Sequence, residues 1–471
     1  MLSDDVLLEI FDFYTPPVYF SNKWITLVHV CRRWRSVVLQ SPLRLNLQLV
    51  CSIKTRVRET LDIWPPLPLI IYCNRSDHWI GTPGMDNIIA ALEHNDRICQ
   101  ISLKISSSAV MGYITNSVPM QKPFLGLTNL LIRSKFGRPG AILPDSFLGG
   151  TAPSLRSLQL DCIPFPGLPK LLLSATHLVN LKFHEIPISG YIPPVTMATA
   201  LSALTNLELF YLHFQHPQPR PALGGRRLPP PSLTRSILPS LTEIRFRGTS
   251  EYLEEVLARV DAPRLNKLRI TFLNQLIFDT PQLFQLISRI PTLMALDEGD
   301  IVITDRENSV KFTSQTSDYG ALSVSVPCTT QLSALKQVCT SSLPFLPTLK
   351  DLHILEPLLG QPRRQQDVEN TLWLEVLRPF SAVKNLYLSK EYVPCIAPAL
   401  QELVGGRATE VLPTLENILL EGFEPSEPLH EGIEKFVAAR RLTNHPVAVS
   451  RWDRDMSRDW ESIINREIYR W

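Results

Sequence analysis

The 471-residue sequence carries almost no net charge: 47 basic residues against 45 acidic ones leave it at +2. That balance gives no ground for binding nucleic acid or an anionic membrane. No run reaches the ~18 consecutive apolar residues of a membrane-spanning helix, so no membrane partner is expected. The acidic opening "MLSDDVLLEI" lacks the basic start and long apolar centre of a signal peptide. The eight cysteines form no Cys-x-x-Cys pair and mostly fall in apolar runs. They read as reduced, buried thiols of a cytoplasmic or nuclear chain, not as a disulfide framework. The phosphate-binding patterns G-x-x-x-x-G-K-[ST] and G-x-G-x-x-G are missing, as is the zinc motif H-E-x-x-H. No catalytic residue, cofactor or metal site is expected, His213-x-x-His216 in a Pro/Arg-rich stretch being too weak a hint. A hydrolase or transferase hidden in an irregular α/β array is the remaining enzyme alternative.

What is abundant is apolar content, 44% of residues, and proline, 40 of them. Ser3 with Asp4 and Asp5 predicts a helix start, and Leu7, Ile10, Phe11 and Tyr14 follow at 3–4 spacing until Pro16-Pro17. A second helix is expected from Trp24 to Leu39, with Trp24, Leu27, Cys31, Trp34 and Val38 as one buried stripe, ended by Ser41-Pro42. The strict alternation of "LRLNLQLV" then predicts a half-buried strand. A short helix in "KTRVRETLDIW" and a strand in "LPLIIYC" complete a strand–helix–strand unit.

That unit recurs. The pattern L-x-x-L-x-L, with other aliphatic and aromatic residues allowed, starts at Ile98, Leu127, Leu155, Leu178, Leu204, Leu241, Leu265, Leu293, Tyr319, Leu349, Val383 and Leu415, at a mean spacing of about 29 residues. The matches at Leu293 and Tyr319 are poor. Six prolines (Pro153, Pro239, Pro263, Pro291, Pro347 and Pro413) stand two residues before a start. Proline cannot donate to a ladder and belongs at a strand entry. Spacing and prolines together predict α/β architecture of the leucine-rich type, a horseshoe-shaped solenoid in which stacked units bury a continuous core. Its predicted span is 43–430, with a loop insertion at 216–239, followed by a C-terminal helical cap at 431–471. There Trp452, Met456, Trp460, Ile464 and Ile468 fall four apart, as on one side of a helix.

The opening residues carry a more specific signal. Leu2-Ser3-Asp4-Asp5-Val6-Leu7-Leu8-Glu9-Ile10-Phe11, followed by Val30-Cys31-Arg32-Arg33-Trp34-Arg35, resembles the F-box, the helical domain of substrate adaptors in Skp–cullin–F-box ubiquitin ligases. The chain as a whole resembles the F-box proteins abundant in mushroom-forming fungi, whose remaining sequence is an irregular leucine-rich array. The resemblance implies an F-box domain at 1–42 that binds the Skp adaptor and, through it, the cullin ligase core. It carries Leu2, Leu7, Ile10, Phe11, Val30, Cys31 and Trp34 over as adaptor-facing or supporting residues, with the nearby arginines as a polar rim. Three departures stand out. Ser3 replaces the usual proline, the segment "TPPVYFSNK" between the helices is long, and the asparagine ladder of regular repeats is absent. The motif begins at Leu2, so an N-terminal extension beyond this sequence is compatible with it. Taken without the resemblance, the same residues suit an ordinary packed helical cap.

In a horseshoe the strand positions between the leucines face the concave side. Here they are Ser102, Gln159, Lys182, Glu208, Arg245, Arg269, His353, Tyr387 and Leu419. Lys182, Arg245, Arg269, His353 and Tyr387 are the candidate contacts to a protein substrate, with a basic tilt suited to an acidic or phosphorylated segment. The expected function is thus substrate recognition for a ubiquitin ligase, without an active site. The alternative is a leucine-rich interaction scaffold without ligase association, which Ser3 favours.

Overall fold

The structure is a computed structural model that describes residues 2–14, 24–75, 82–134, 141–218, 235–273, 280–303, 307–314, 320–327, 331–341, 343–355, 370–424 and 428–454. Over these residues the chain is mixed α/β with mostly parallel strands. It divides into two compact units, one reaching Gln218 and including Ser236–Leu241, the other comprising Arg235 and the chain from Thr242 onward. No helix among the described residues is long and apolar enough to cross a membrane.

The first unit opens with three helices: α1 (Asp4–Tyr14), α2 (Trp24–Val30) and α3 (Arg32–Gln40). Asp4 and Asp5 lie in the first turn of α1, where carboxylates meet the positive end of the helix dipole. The Ser3 hydroxyl accepts the Val6 N–H at 3.4 Å. The single helix expected over 24–39 is two helices. Cys31 is extended, at φ −157° and ψ 169°, and its sulfur accepts the Trp34 N–H as the N-cap of α3. The break turns Cys31 outward, so it is exposed and not part of a buried stripe.

Seven parallel strands follow in chain order: β1 (Leu49–Ser52), β2 (Leu69–Arg75), β3 (Ile98–Ile105), β4 (Asn129–Arg133), β5 (Ser157–Asp161), β6 (Asn180–Ile186) and β7 (Leu209–Phe214). Helices α4 (Val57–Ile63), α5 (Thr82–Leu92), α6 (Ser108–Thr115), α7 (Leu168–Ser174) and α8 (Pro194–Ser202) lie between them in sequence. The register stacks Leu130 on Leu158 on Leu181 on Phe210, and Ile132 on Leu160 on Phe183 on Leu212, all buried. Burying such side chains is worth ~1.5–3 kcal/mol each, and no single strand–helix unit can do it alone. The strand expected at 43–50 is shorter. Residues 42–46 form a turn, Asn46 takes a left-handed φ of 44°, and Leu43 is solvent-exposed, because the chain must first leave α3. The expected start at Leu204 is three residues early. Leu181 pairs with Phe210, which makes Leu207 the counterpart of Leu178. The unit also holds a two-residue strand, β8 (Ser236–Ile237), inside the stretch expected to be a loop; residues 219–234 of that stretch lie outside the described residues.

The second unit contains β9 (Glu243–Gly248), a short β10 (Val260–Asp261), β11 (Lys267–Phe272), β12 (Glu298–Ile303), β13 (Glu307–Thr313), β14 (Ala321–Pro327), β15 (Asp351–Leu355), β16 (Asn385–Leu388), β17 (Asn417–Glu421) and β18 (Ala448–Trp452). Its helices are α9 (Ser250–Leu257), α10 (Pro281–Arg289), α11 (Pro291–Met294), α12 (Gln331–Ser341), α13 (Asn370–Leu377), α14 (Val393–Gln401) and α15 (Glu431–Leu442). Chain order breaks once: the spatial order is β9, β11, β14, β13, β12, β15, with β13 antiparallel to both neighbours. A meander thus replaces two simple repeats, which explains the poor pattern there. At Leu293 the expected start is again three residues early, since Gly299 pairs with Leu352 where a large apolar residue is normal. A Cβ on Gly299 would lie 3.3 Å from the ring of Phe312, so glycine leaves room for that ring. Five of the six prolines stand four residues before a strand; Pro291 instead opens α11, as the first residue of a helix that has no N–H to lose.

At the C-terminal end, Trp452 is the last residue of strand β18 and not part of a helix. Met456, Trp460, Ile464 and Ile468 lie outside the described residues. A short amide ladder crosses the strand entries: Asn417 Nδ2 donates to Asn385 Oδ1 at 2.8 Å, and Asn385 Nδ2 to Asp351 Oδ1 at 2.7 Å. The sequence pattern predicts no such ladder; these asparagines stand at the first position of their strands.

Arg440 of α15 is fully buried. Its guanidinium donates to the carbonyls of Ala408, Pro413 and Leu415 at 3.0–3.2 Å, tying the helix to the turn before β17. Arg440→Ala leaves three carbonyls without a donor and opens a cavity. It is expected to cost roughly 2–4 kcal/mol, read as a lower midpoint in urea unfolding.

Candidate functional site

Helix α1 is apolar on two sides. Leu7 and Phe11 point inward and are buried, and Phe11 meets Trp34 edge-to-face at 4.9 Å between ring centroids. Val6, Ile10 and Phe13, at i, i+4 and i+7, form a second stripe that is open to solvent. A helix that served only to cap its own core would have polar residues there. Leu2 and Val30 are also exposed, at 54% and 59%. Ile10, Phe11, Thr26, Leu27, Val30 and Trp34 line one open, mainly apolar groove between the helices.

Four of the seven N-terminal candidates, Ile10, Phe11, Val30 and Trp34, come together on this groove. Leu7 is buried in the core, and Leu2 and Cys31 reach solvent elsewhere on the three helices. Val6 and Phe13 belong to the same stripe as Ile10 and were missed by sequence reasoning, although their spacing from Ile10 was a readable signal. Two of the three arginines expected as a rim are engaged within the domain. Arg33 pairs with Asp4 at 2.7 Å and donates to the Leu2 carbonyl, and Arg35 Nε donates to the Val28 carbonyl at the end of α2 at 3.0 Å. Arg44 pairs with Glu9 and, at 3.7 Å, with Asp12, joining α1 to the turn after α3. Trp24 donates from its indole nitrogen to the Gln48 carbonyl at 2.8 Å and packs on Trp64, fixing α2 to the strands. These contacts fix the three helices to one another and to the residues before the strands.

The strand-face candidates fall in both units. Lys182 lies in the first, in a row with Ser102, Leu131, Gln159 and Tyr211; its ammonium is 5.4 Å from the centroid of the Tyr211 ring. Glu208, expected in this row, is displaced by Tyr211 through the three-residue shift at β7. His213 sits on β7, edge-on to His184 at 5.0 Å and stacked with Tyr211, so it packs with other rings and lies outside the expected loop. In the second unit one row runs Arg245, Arg269, Ser323, Lys311, Asp300, His353, Tyr387, Leu419 and Ser450. Arg245 pairs with Glu243 at 2.5 Å. His353 contacts Tyr387 at 4.1 Å and Trp452 at 5.7 Å between centroids. The face is basic at one end, acidic in the middle and aromatic at the other, not uniformly basic.

Comparison with protein-family models and with curated proteins finds no match to this chain.

Burial separates the thiols sharply. It pushes Cys51 and Cys162 up to about 11 and Cys339 up to about 12, with Asp161 and Glu185 adding to the shift at Cys162. At pH 8 these three stay protonated and enclosed, whereas Cys31 is exposed to solvent. Alkylation of the native chain is expected to modify Cys31 well before Cys51, Cys162 and Cys339, as read by peptide mass spectrometry. Protection of Cys31 as strong as that of the other three would contradict its exposure at the break between α2 and α3.

Proposed function

We propose that the chain is a substrate-recognition subunit of a Skp–cullin–F-box ubiquitin ligase. In this reading α1–α3 form an F-box that holds the Skp adaptor, and the strand array is a leucine-rich solenoid that holds a protein substrate. The observation that carries it is the solvent-exposed stripe Val6, Ile10 and Phe13 beside the apolar groove at Val30 and Trp34. An apolar centre of this kind, rimmed by polar groups, suits an interface of ~1,200–2,000 Å² in total. Of the motif residues, Leu2, Ile10, Val30 and Cys31 reach solvent, and Phe11 and Trp34 line the groove with Ile10 and Val30. Ser3, which departs from the motif, makes a helix cap of its own and leaves the stripe intact.

The chain supplies no reacting group in this scheme. It acts by proximity, raising the local concentration of substrate lysines near a charged ubiquitin-conjugating enzyme that the ligase core delivers. The array's mixed face, with Arg245 and Arg269 at one end and His353 and Tyr387 at the other, offers a substrate segment both ion pairing and aromatic contact.

Exposed positions make the clean test, since Leu7→Asp at a buried site would damage the fold itself. Ile10→Asp and Val30→Asp place a charge in the groove without removing core contacts. Each is expected to weaken binding of purified Skp adaptor by about a hundredfold, close to 2.7 kcal/mol, with an unchanged melting temperature. Intact chain that fails to bind the adaptor leaves the interaction scaffold as the surviving reading.

A further inference from the structure

We propose that Glu298, Asp300 and His353 form a binding site for a divalent transition-metal cation of zinc's class, bridging β12 and β15. The three side chains share one face of two paired strands. Asp300 is register-opposite His353, and Glu298 is opposite Asp351. The imidazole lies between the two carboxylates, with Nδ1 3.3 Å from Asp300 Oδ1 and Nε2 3.5 Å from Glu298 Oε1. One donor atom from each residue falls within 4.8 Å of the others. Ligand atoms around one zinc ion stand roughly 3–3.5 Å apart, given bonds of about 2.0–2.2 Å. The two carboxylates face different ring nitrogens, so the cation sits between one nitrogen and its neighbouring carboxylate, at 3.3 or 3.5 Å spacing, while the other carboxylate holds the second nitrogen and orients the ring.

Three features favour a cation here over a purely acidic patch. The nitrogen donor is a histidine that is itself buried, at 8% exposure, and Glu298 is buried as well. Tyr387 and Trp452 pack against the imidazole and limit its rotation. Two carboxylates and a neutral imidazole balance a divalent charge and leave coordination positions open toward the strand face. The other charged groups in register are Asp351, beside Glu298, and Lys311 on β13, opposite Asp300; the lysine is the competing counter-charge. The site stands independently of the adaptor reading.

The test uses the full-length chain after chelator treatment, titrated calorimetrically with zinc alone and followed by its electronic spectrum with cobalt alone. One equivalent is expected to bind, with a cobalt spectrum of nitrogen and oxygen ligation and no thiolate charge-transfer band. His353→Gln and Asp300→Asn are expected to weaken binding by about tenfold or more at unchanged circular dichroism, while exposed His445→Gln leaves it unaltered. Absence of binding, a thiolate band as the sole signal, or unaltered affinity in both site variants would overturn the proposal.

Discussion

In-register parallel pairing is the constraint on which the rest of the structure depends. Each strand of the first unit gives its apolar alternate residues to one face and is covered only when the next strand is laid beside it. The same register that stacks Leu158 on Leu181 also aligns Gln159 with Lys182, and it aligns Asp300 with His353 in the second unit. Core and candidate binding rows are therefore two sides of one arrangement. A shift of one residue in any strand would turn its apolar set outward and scatter the polar row.

The N-terminal helices obey a different logic. Their inward residues Leu7, Phe11, Leu27 and Val38 are enclosed, and Trp24 anchors them to the strands through Gln48. Among their outward residues, Leu2, Val6, Ile10, Phe13 and Val30 are apolar. The break at Cys31 ends α2 at Val30, which lines the groove with Ile10, and leaves Cys31 exposed. Arg33 and Arg35, expected as a charged rim, bond within the helices, to Asp4 and to the Val28 carbonyl.

The period, the prolines and the apolar positions were legible because each follows from local geometry. Pro153, Pro239, Pro263, Pro347 and Pro413 mark strand entries, and the pattern at Leu155, Leu178, Leu241, Leu265, Leu349, Val383 and Leu415 falls in register. What was not legible depended on tertiary pairing. Leu204 and Leu207 both satisfy a loose pattern, and only the partner strand chooses between them. The reversed order of β12 to β14 leaves no local mark beyond a weak match and a glycine at 299. Glu298, Asp300 and His353 are too far apart in sequence for any spacing rule to join them; the β12–β15 pairing does so. Cys31 looked buried because helical periodicity was extended through a residue whose own sulfur caps the next helix.

The proposed adaptor contact predicts where in the chain a partner slows exchange. Hydrogen–deuterium exchange of the full chain, with and without purified Skp adaptor, measures this directly. Slowed exchange confined to α1, α2 and α3, with the strands from β3 to β7 unaltered, is the predicted result. Exchange that is unaltered in the helices, or slowed only along the strands, would contradict the role assigned to the exposed stripe of α1.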